Sequence, residues 1–322
     1  MLRVSYEAVL KLVSVAALVP DVRQALISGL MCPPRGHHEL GSANADGAFL
    51  IMPAWRPGGA LGVKIATAFP RNHDRGHPFI QGEFLLFDGA TGTPVASIDG
   101  RALTLLRTAA VSAVAADLLA PPAAETLLMV GTGALAPHLI AGHLSIRKYA
   151  EVLVWGRDPG KAASLARQLR QDGIEATAAD DLQRAARHAD VICSATSSQT
   201  PLIRGAWLKP RAHLDLVGSF QPWMRESDDD CVRGALVVTD TLGALAESGD
   251  LLDPVTRGVL ARERVFLLEE MLRRGPLTQD LGVSVFKSVG VATSDLAAAE
   301  HIYARMIETS QRAGRAAIAS GS

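Results

Sequence analysis

Residues 126–157 constrain this chain more than any other stretch. Thr126-Leu127-Leu128-Met129-Val130 is an apolar run of strand length, and Gly131-Thr132-Gly133-Ala134-Leu135-Ala136 follows it directly. A helical segment comes next, and a second apolar run, Glu151–Trp155, arrives about 20 residues on, the spacing of a strand–turn–helix–strand unit. A G-x-G-x-x-G/A pattern alone is weak, but in this context it marks a dinucleotide-binding turn. Gly131 permits the tight turn, Gly133 lets a pyrophosphate approach the backbone, and Ala136 is small enough for helix to pack on strand. The helix N-terminus offers unpaired N–H groups and partial positive charge to the phosphates. Gly131, Gly133 and Ala134 are therefore candidate cofactor contacts.

The end of the second strand chooses between cofactors. An acidic residue there would bind the ribose 2′-hydroxyl of NAD. The chain reads Trp155-Gly156-Arg157-Asp158-Pro159-Gly160-Lys161, with Gly156 at the acidic position and two cations after it. A guanidinium suits a 2′-phosphate through paired, charge-assisted hydrogen bonds. Gly156, Arg157 and Lys161 thus predict NADPH, with NADH as the alternative. Asp158, before Pro159, reads as the N-cap of the next helix.

The chain has 322 residues, enough for two domains. With 48% hydrophobic and 20% charged residues and a net charge of −1, it predicts a globular protein with no general affinity for nucleic acid or acidic membranes. No run reaches the roughly 20 apolar residues of a membrane helix, and Met1–Val13 lacks the apolar core and cleavage site of a signal peptide. Cys32, Cys193 and Cys231 have no CxxC spacing and suit a reducing cytoplasm.

The pattern changes near residue 120. Before it, the extended runs Ala48–Pro53, Gly62–Phe69, Gly82–Asp88 and Pro94–Asp99 are punctuated by Gly and Pro, and an Ala-rich helix follows at about 102–119. After it, strands are expected at Thr126–Val130, Glu151–Trp155, Ile174–Thr177, Val191–Ser194, His213–Val217 and Leu236–Thr239, with helices between the early ones. The expected fold is α/β: a Rossmann-type doubly wound parallel sheet over 121–294, plus an α+β substrate-binding and dimerisation domain over 1–120. A C-terminal helix, 295–322, is expected to rejoin the first domain.

The chain resembles the ornithine cyclodeaminase/mu-crystallin family over nearly its whole length. The resemblance is carried by Gly62-Val63-Lys64-Ile65, Phe69-Pro70-Arg71-Asn72, Asp99-Gly100 with Leu103-Thr104, Arg107-Thr108-Ala109-Ala110, the glycine turn, Ala189-Asp190-Val191-Ile192, Val217-Gly218, Glu247-Ser248-Gly249-Asp250 and Phe286-Lys287-Ser288-Val289-Gly290. Pro33-Pro34-Arg35-Gly36-His37-His38 and His213–Phe220 look most like the bacterial Δ1-pyrroline-2-carboxylate/Δ1-piperideine-2-carboxylate (cyclic ketimine) reductases. The resemblance implies a homodimer whose N-terminal domain carries the dimer contact and the substrate groups. Arg35, Lys64 and Arg107 match the family's substrate-binding positions, and Thr108, Thr196, Val217, Gly218 and Ser288 match positions near the cofactor.

One departure separates the family's activities. The cyclodeaminases carry a catalytic acid just after the Val-Gly-Gly turn, and Phe220 stands there in this chain. Reduction of a preformed cyclic imine does not need that acid. The expected reaction is therefore NAD(P)H-dependent reduction of Δ1-pyrroline-2-carboxylate to L-proline or of Δ1-piperideine-2-carboxylate to L-pipecolate. The alternatives are an ornithine cyclodeaminase, an alanine dehydrogenase-like enzyme, and a mu-crystallin-like protein that binds NADPH or a small ligand.

Arg107 is assigned to the substrate carboxylate, because a guanidinium grips both oxygens and an arginine in an apolar helix needs an anionic partner. Lys64, inside an apolar strand beside arginines, is a candidate proton donor with a lowered pKa. His38 is a rival donor, or a loop residue that only hydrogen-bonds. The alternative for each cation is a structural carboxylate partner. Lys287 is read as a phosphate contact or a solvated lysine. His73 and His77 flank Asp74 in a Pro/Gly loop, so no metal site is expected. Asp228-Asp229-Asp230, after Arg225-Glu226, reads as a helix cap or a solvent-facing run.

Overall fold

The computed structural model describes residues 1–41, 47–275 and 282–320, apart from the side chains at 70, 73 and 313–320. The chain divides into two compact units, Met1–Thr108 with Val291–Ser322, and Ala109–Gly290.

The first unit opens with β1 (Leu2–Val4), α1 (Tyr6–Leu12) and α2 (Val15–Ile27). Ser5 and Ser14 cap the two helices, their hydroxyl oxygens accepting the N–H groups of Ala8 and Ala17 at 3.3 Å each. Then come β2 (Gly36–Glu39), β3 (Ala48–Trp55), β4 (Leu61–Ala68), β5 (Ile80–Phe87) and β6 (Pro94–Asp99). They form one sheet in the order β1-β6-β5-β4-β3-β2, antiparallel except for the parallel β1–β6 pair. Asp88 closes the β5–β6 hairpin by accepting the N–H groups of Ala90 and Thr91 at 3.0 and 2.9 Å. The four expected extended runs are β3 to β6. His37 and His38 lie on a strand rather than in a loop, opposite Leu50 and Phe49 of β3.

Helix α3 (Gly100–Leu119) starts where the Asp99 carboxylate accepts the N–H groups of Arg101 and Ala102 at 3.0 and 2.8 Å. Contrary to the sequence expectation, this 20-residue helix is apolar enough to cross a membrane by length and composition. Its apolar window is 78% buried inside the protein, which is the setting of a core helix.

The second unit alternates strands and helices: β7 (Thr126–Val130), α4 (Ala136–Ile146), β8 (Glu151–Trp155), α5 (Pro159–Gln171), β9 (Ala176–Ala178), α6 (Leu182–His188), β10 (Val191–Ser194), β11 (His213–Leu216), β12 (Leu236–Thr239), α7 (Ala244–Glu247), α8 (Gly249–Thr256), β13 (Val265–Leu267), α9 (Leu268–Arg274) and β14 (Ser284–Lys287). The eight strands are all parallel, in the order β13-β12-β14-β11-β10-β7-β8-β9. All five residues of β7 are buried, as a parallel strand covered on both faces requires. Four of the six expected strands have the predicted limits. Strand β9 lies two residues later at its start, and β11 ends one residue earlier. Because β8 lies on one side of β7 and β10 on the other, the chain order reverses there, and ligands of such sheets bind at the carboxyl ends of the strands at that point. The final helix, α10 (Ala292–Ser320), packs on α2 and across β3, β4 and β5 of the first unit.

Candidate active site

The glycine turn sits at that reversal point. Gly131 has φ +117°, and a Cβ there would stand 2.5 Å from the carbonyl oxygen of Ala195, so both the turn and its packing require glycine. At Gly133 a Cβ would meet no heavy atom within 4 Å, leaving the backbone open to approach. Helix α4 begins after Leu135 without a side-chain cap and with Pro137 in its first turn. Its leading N–H groups are thus not claimed by a side chain, the condition for receiving phosphate.

A cavity of about 290 Å³ lies beside this turn, lined by Thr132, Gly133, Ala134, Pro137, Lys161 and Gln168 among others. Asp158 caps α5 as expected, accepting the N–H groups of Gly160 and Lys161 at 2.9 and 3.2 Å. The cap fixes Lys161 in the first turn of the helix that borders the cavity. Arg157 is exposed and is not among the lining residues. A Cβ at Gly156 would lie 2.8 Å from Cγ2 of Thr132, so Thr132 occupies the space an acidic side chain would need.

At the other positions that the resemblance assigns to the cofactor, the polar groups hold the strand ends. Val217, buried, donates its N–H to the carbonyl of Ser194 at 2.8 Å. Thr196 and Gly218 meet at the buried carboxylate of Glu226. Ser288 donates its hydroxyl to Asp240 at 2.7 Å, and the same carboxylate accepts the N–H groups of Val289 and Gly290 at 3.2 and 2.8 Å. Lys287 is neither solvated nor free for phosphate. Its side chain is fully buried, and Nζ lies 3.5 Å from Oδ2 of Asp250.

In the first unit, Lys64 and Arg107 come together on one carboxylate. Strand β4 alternates, and Lys64 shares its inward face with Gly62, Ala66 and Ala68. Its Nζ stands 2.9 Å from Oδ1 and 2.8 Å from Oδ2 of Asp295 on α10, while Nε of Arg107 lies 2.9 Å from Oδ1. All three side chains are buried. Burial, with help from Arg107 and Arg35, lowers the Lys64 ammonium from 10.5 to about 8, against the opposing pull of Asp295. Arg35 is half-buried and close enough to act on Lys64. Thr108, also buried, follows Arg107 on α3. His38 is exposed on β2, its ring centroid 6.3 Å from that of Phe49.

Sequence reasoning missed Asp295 and Glu226. The one signal for Asp295 is a lone carboxylate in front of the apolar run Leu296-Ala297-Ala298-Ala299; Glu226 was hidden in a charged run. That run is not merely solvent-facing: Arg225 bonds Asp229 at 2.8 Å and Asp253 at 3.1 Å, and Asp228 accepts the N–H of Gly205 at 2.9 Å.

Among the described residues, His143, Cys193 and Asp215 place metal-ligating atoms within 4.8 Å of one another in the core of the second unit. Their spacing is that of hydrogen bonds. Asp215 accepts from the Cys193 thiol at 3.2 Å and the Ser112 hydroxyl at 3.3 Å, and lies 3.1 Å from Nε2 of His143. Burial opposes the charge on Asp215, but His143, His213 and the Cys193 thiol hold its carboxyl below the ordinary carboxylate range. His77 is exposed, and the side chain of His73 lies outside the described residues.

The model of the ornithine cyclodeaminase/mu-crystallin family matches residues 3–310. The Δ1-pyrroline-2-carboxylate reductase of Paracoccus denitrificans is 36% identical over 289 residues, covering 88% of this chain and 91% of that protein. The ketimine reductase mu-crystallin of Mus musculus is 33% identical over 300 residues, covering 90% and 92%. Thermococcus litoralis Δ1-pyrroline-2-carboxylate reductase, solved in complex with NADH and L-proline, superposes with a TM-score of 0.90 at 28% identity, over 96% of this chain and 98% of that one. The chain belongs to the ornithine cyclodeaminase/mu-crystallin family.

Proposed function

We propose that this chain reduces a cyclic imine bearing a carboxylate on the imine carbon, Δ1-pyrroline-2-carboxylate or Δ1-piperideine-2-carboxylate, to L-proline or L-pipecolate. The observation that carries this reading is the charge balance of the buried trio. Lys64 and Arg107 share the single carboxylate of Asp295, so two cations face one anion. A buried excess of positive charge is costly until a second anion completes it. A small substrate carboxylate is such an anion. The ion pair of Arg107 is made at Nε, and its terminal nitrogens are assigned to the substrate carboxylate, with Arg35 as a second cation.

When bound, the nicotinamide supplies hydride to the imine carbon. The imine nitrogen gains a proton in the same reduction, and Lys64 is assigned as its donor from a pKa of about 8. Exposed His38 is the rival donor. Gly131, Gly133 and Ala134 are assigned to the pyrophosphate, and Thr108, Thr196, Val217, Gly218 and Ser288 to the nicotinamide side. Gly156, Arg157 and Lys161 are assigned to the adenosine side. Lys161 beside the cavity and Thr132 in place of an acidic side chain support NADPH as the preferred donor.

Phe220 supports reduction over cyclodeamination. The buried carboxylate in the segment after it, Glu226, is taken up by five hydrogen bonds, so its oxygens face donors of this chain and not a substrate. A homodimer is part of the proposal. Met31, Trp55 and Leu61 are exposed at 49%, 38% and 37%, and Trp55 pairs with both of the others, forming an apolar patch. The three free cysteines support a reducing cytoplasm.

The test is oxidation of NADPH and NADH with the two imines, with pyruvate plus ammonia, and with ornithine as a control. Turnover confined to pyruvate plus ammonia would refute the imine assignment. An NADH preference that survives Arg157→Ala and Lys161→Ala would refute the NADPH assignment.

A further inference from the structure

Glu226 belongs to no strand or helix, yet its side chain has no exposure to solvent. Its oxygens collect five donors from the ends of two strands. Oε1 accepts the Ser194 hydroxyl at 2.7 Å, the Thr196 N–H at 2.7 Å and the Thr196 hydroxyl at 2.9 Å. Oε2 accepts the N–H groups of Gly218 at 2.6 Å and Ser219 at 3.2 Å. The backbone amides among them can only donate, so a neutral partner of the same shape would leave a donor facing a donor.

Glu226 is itself anchored. Its N–H donates to Oδ1 of Asp250 at 2.8 Å, beside the N–H of Ser227 at 3.0 Å. The other oxygen of Asp250 faces buried Lys287. Burial is the main force pushing the Glu226 carboxyl up, to about 7, and Asp250 adds to it, while Lys287 and the donors from Ser194 and Thr196 pull it down.

The bonded segments have no slack. A Cβ on Gly218 would lie 2.1 Å from the carbonyl oxygen of Thr196, 2.2 Å from its nitrogen and 2.6 Å from Oε1 of Glu226. A Cβ on Gly131 would lie 2.5 Å from the carbonyl oxygen of Ala195 and 3.3 Å from Cγ2 of Thr196. The segments that follow β7, β10 and β11 therefore touch through their backbones. The Glu226 carboxylate bonds the last two to each other.

We propose that Glu226 is a positioning residue for dinucleotide binding: its carboxylate clamps the ends of β10 and β11 and sets the separation of Thr196 and Gly218 on which the nicotinamide half docks. This rests on the reading that the chain binds a nicotinamide dinucleotide. The carboxylate acts at the ligand end of the sheet, and the apolar cluster around Leu128, Ile192, Leu214 and Val285 in the interior is built without it.

The experiment compares Glu226→Gln and Glu226→Asp with the wild type. It measures the Kd of NADH and of NADPH by fluorescence, the KM of the imine at saturating cofactor, and amide hydrogen exchange over 194–198 and 217–220. Glutamine turns an NH2 group towards amide donors, so cofactor Kd is expected to rise roughly tenfold to a hundredfold, the scale of one lost charge-assisted hydrogen bond. Exchange should quicken in those two segments alone, and the imine KM should stay within about twofold, well below the factor of ten per 1.4 kcal/mol. Aspartate keeps the charge but is one methylene short, and should fall between the two. A folded Glu226→Gln protein with wild-type Kd and exchange would overturn the proposal, as would a change in imine KM alone. If Glu226→Gln does not fold, Glu226→Asp decides by the same criteria. A wild-type protein that binds neither cofactor overturns the dinucleotide reading itself, whereas a wild type that binds and variants that match it overturn only the role of Glu226.

Discussion

Replacing Lys64 by methionine isolates the energetic cost of placing an ammonium in the first unit. In the folded protein the Lys64 pKa is about 8, against 10.5 for the free side chain. The gap, 10.5 − 8, multiplied by about 1.4 kcal/mol per pH unit, gives roughly 3.5 kcal/mol of charge-burial cost. The cost is fully present below pH 8. Between pH 8 and 10.5 the unfolded chain holds a proton that the folded chain has released, so stability rises with pH across that window. Methionine keeps the apolar stem, removes the titration and leaves Asp295 paired with Arg107. The stability of the wild type relative to Lys64→Met should therefore climb by about 3 kcal/mol between pH 7 and 10.5. Urea unfolding of both proteins at matched pH, in a background with Trp155, Trp207 and Trp223 replaced by phenylalanine so that Trp55 on β3 of the same unit is the fluorescent probe, reads this difference. The prediction concerns the slope and not the offset: the pull of Asp295 is already contained in the Lys64 pKa, and only the exchange of a neutral amine for methionine shifts the two curves by a constant. Parallel curves would refute the reasoning. An opposite slope would mean that Asp295 outweighs burial and raises the Lys64 pKa.

In the reductive direction kcat/KM for the imine should fall about tenfold per unit above pH 8 as Lys64 loses its proton, and Lys64→Met should lose both that limb and at least a hundredfold of rate; a wild-type profile flat to pH 9 would remove Lys64 from proton transfer. Asp295→Asn leaves two buried cations without their anion, at a cost of about 3–5 kcal/mol in unfolding free energy. L-proline should then raise the melting temperature of the variant more than that of the wild type, because its carboxylate replaces the missing charge; equal shifts would count against the charge balance. Gly156→Asp should weaken both cofactors, since Thr132 fills the space. Paired with Thr132→Ala, it should shift the NADH-to-NADPH ratio of kcat/KM at least tenfold (about 1.4 kcal/mol) towards NADH, and an unshifted ratio would show that this position does not read the ribose.

The parts of the molecule legible in the sequence are those whose physics is local. Strands β7, β8, β10 and β12 are contiguous apolar runs because a parallel strand buried on both faces has no polar side to show. The glycine turn was readable for the same reason: a positive φ at Gly131 and an uncapped helix start are properties of a few consecutive residues. Strands β1, β2, β13 and β14 were missed: three or four residues carry no period, and β1, β2 and β14 lack the nearly unbroken apolar run that made the equally short β10 and β12 visible, while β13 has only three residues. The motif of β14 even ends in a lysine whose charge suggested the surface, and the fold buries it against Asp250.

By itself, then, the sequence marked a glycine turn at Gly131 in the context expected of a dinucleotide site, set Lys64 and Arg107 in apolar surroundings, and, through its resemblance to the family, put Phe220 where the cyclodeaminases carry an acid. The tertiary structure decided what those charges meet. Asp295 reaches Lys64 across 231 residues of chain, and no local pattern encodes a partner at that distance. Glu226 stands in a run of charges that resembles a hydrated surface, and became a buried clamp only when two strand ends converged on it. Lys161 borders the cavity beside the glycine turn and Arg157 does not, because the Asp158 cap sets where α5 begins. Burial belongs to the packed chain, and burial determines whether a charge is solvated and idle or is held against a specific partner.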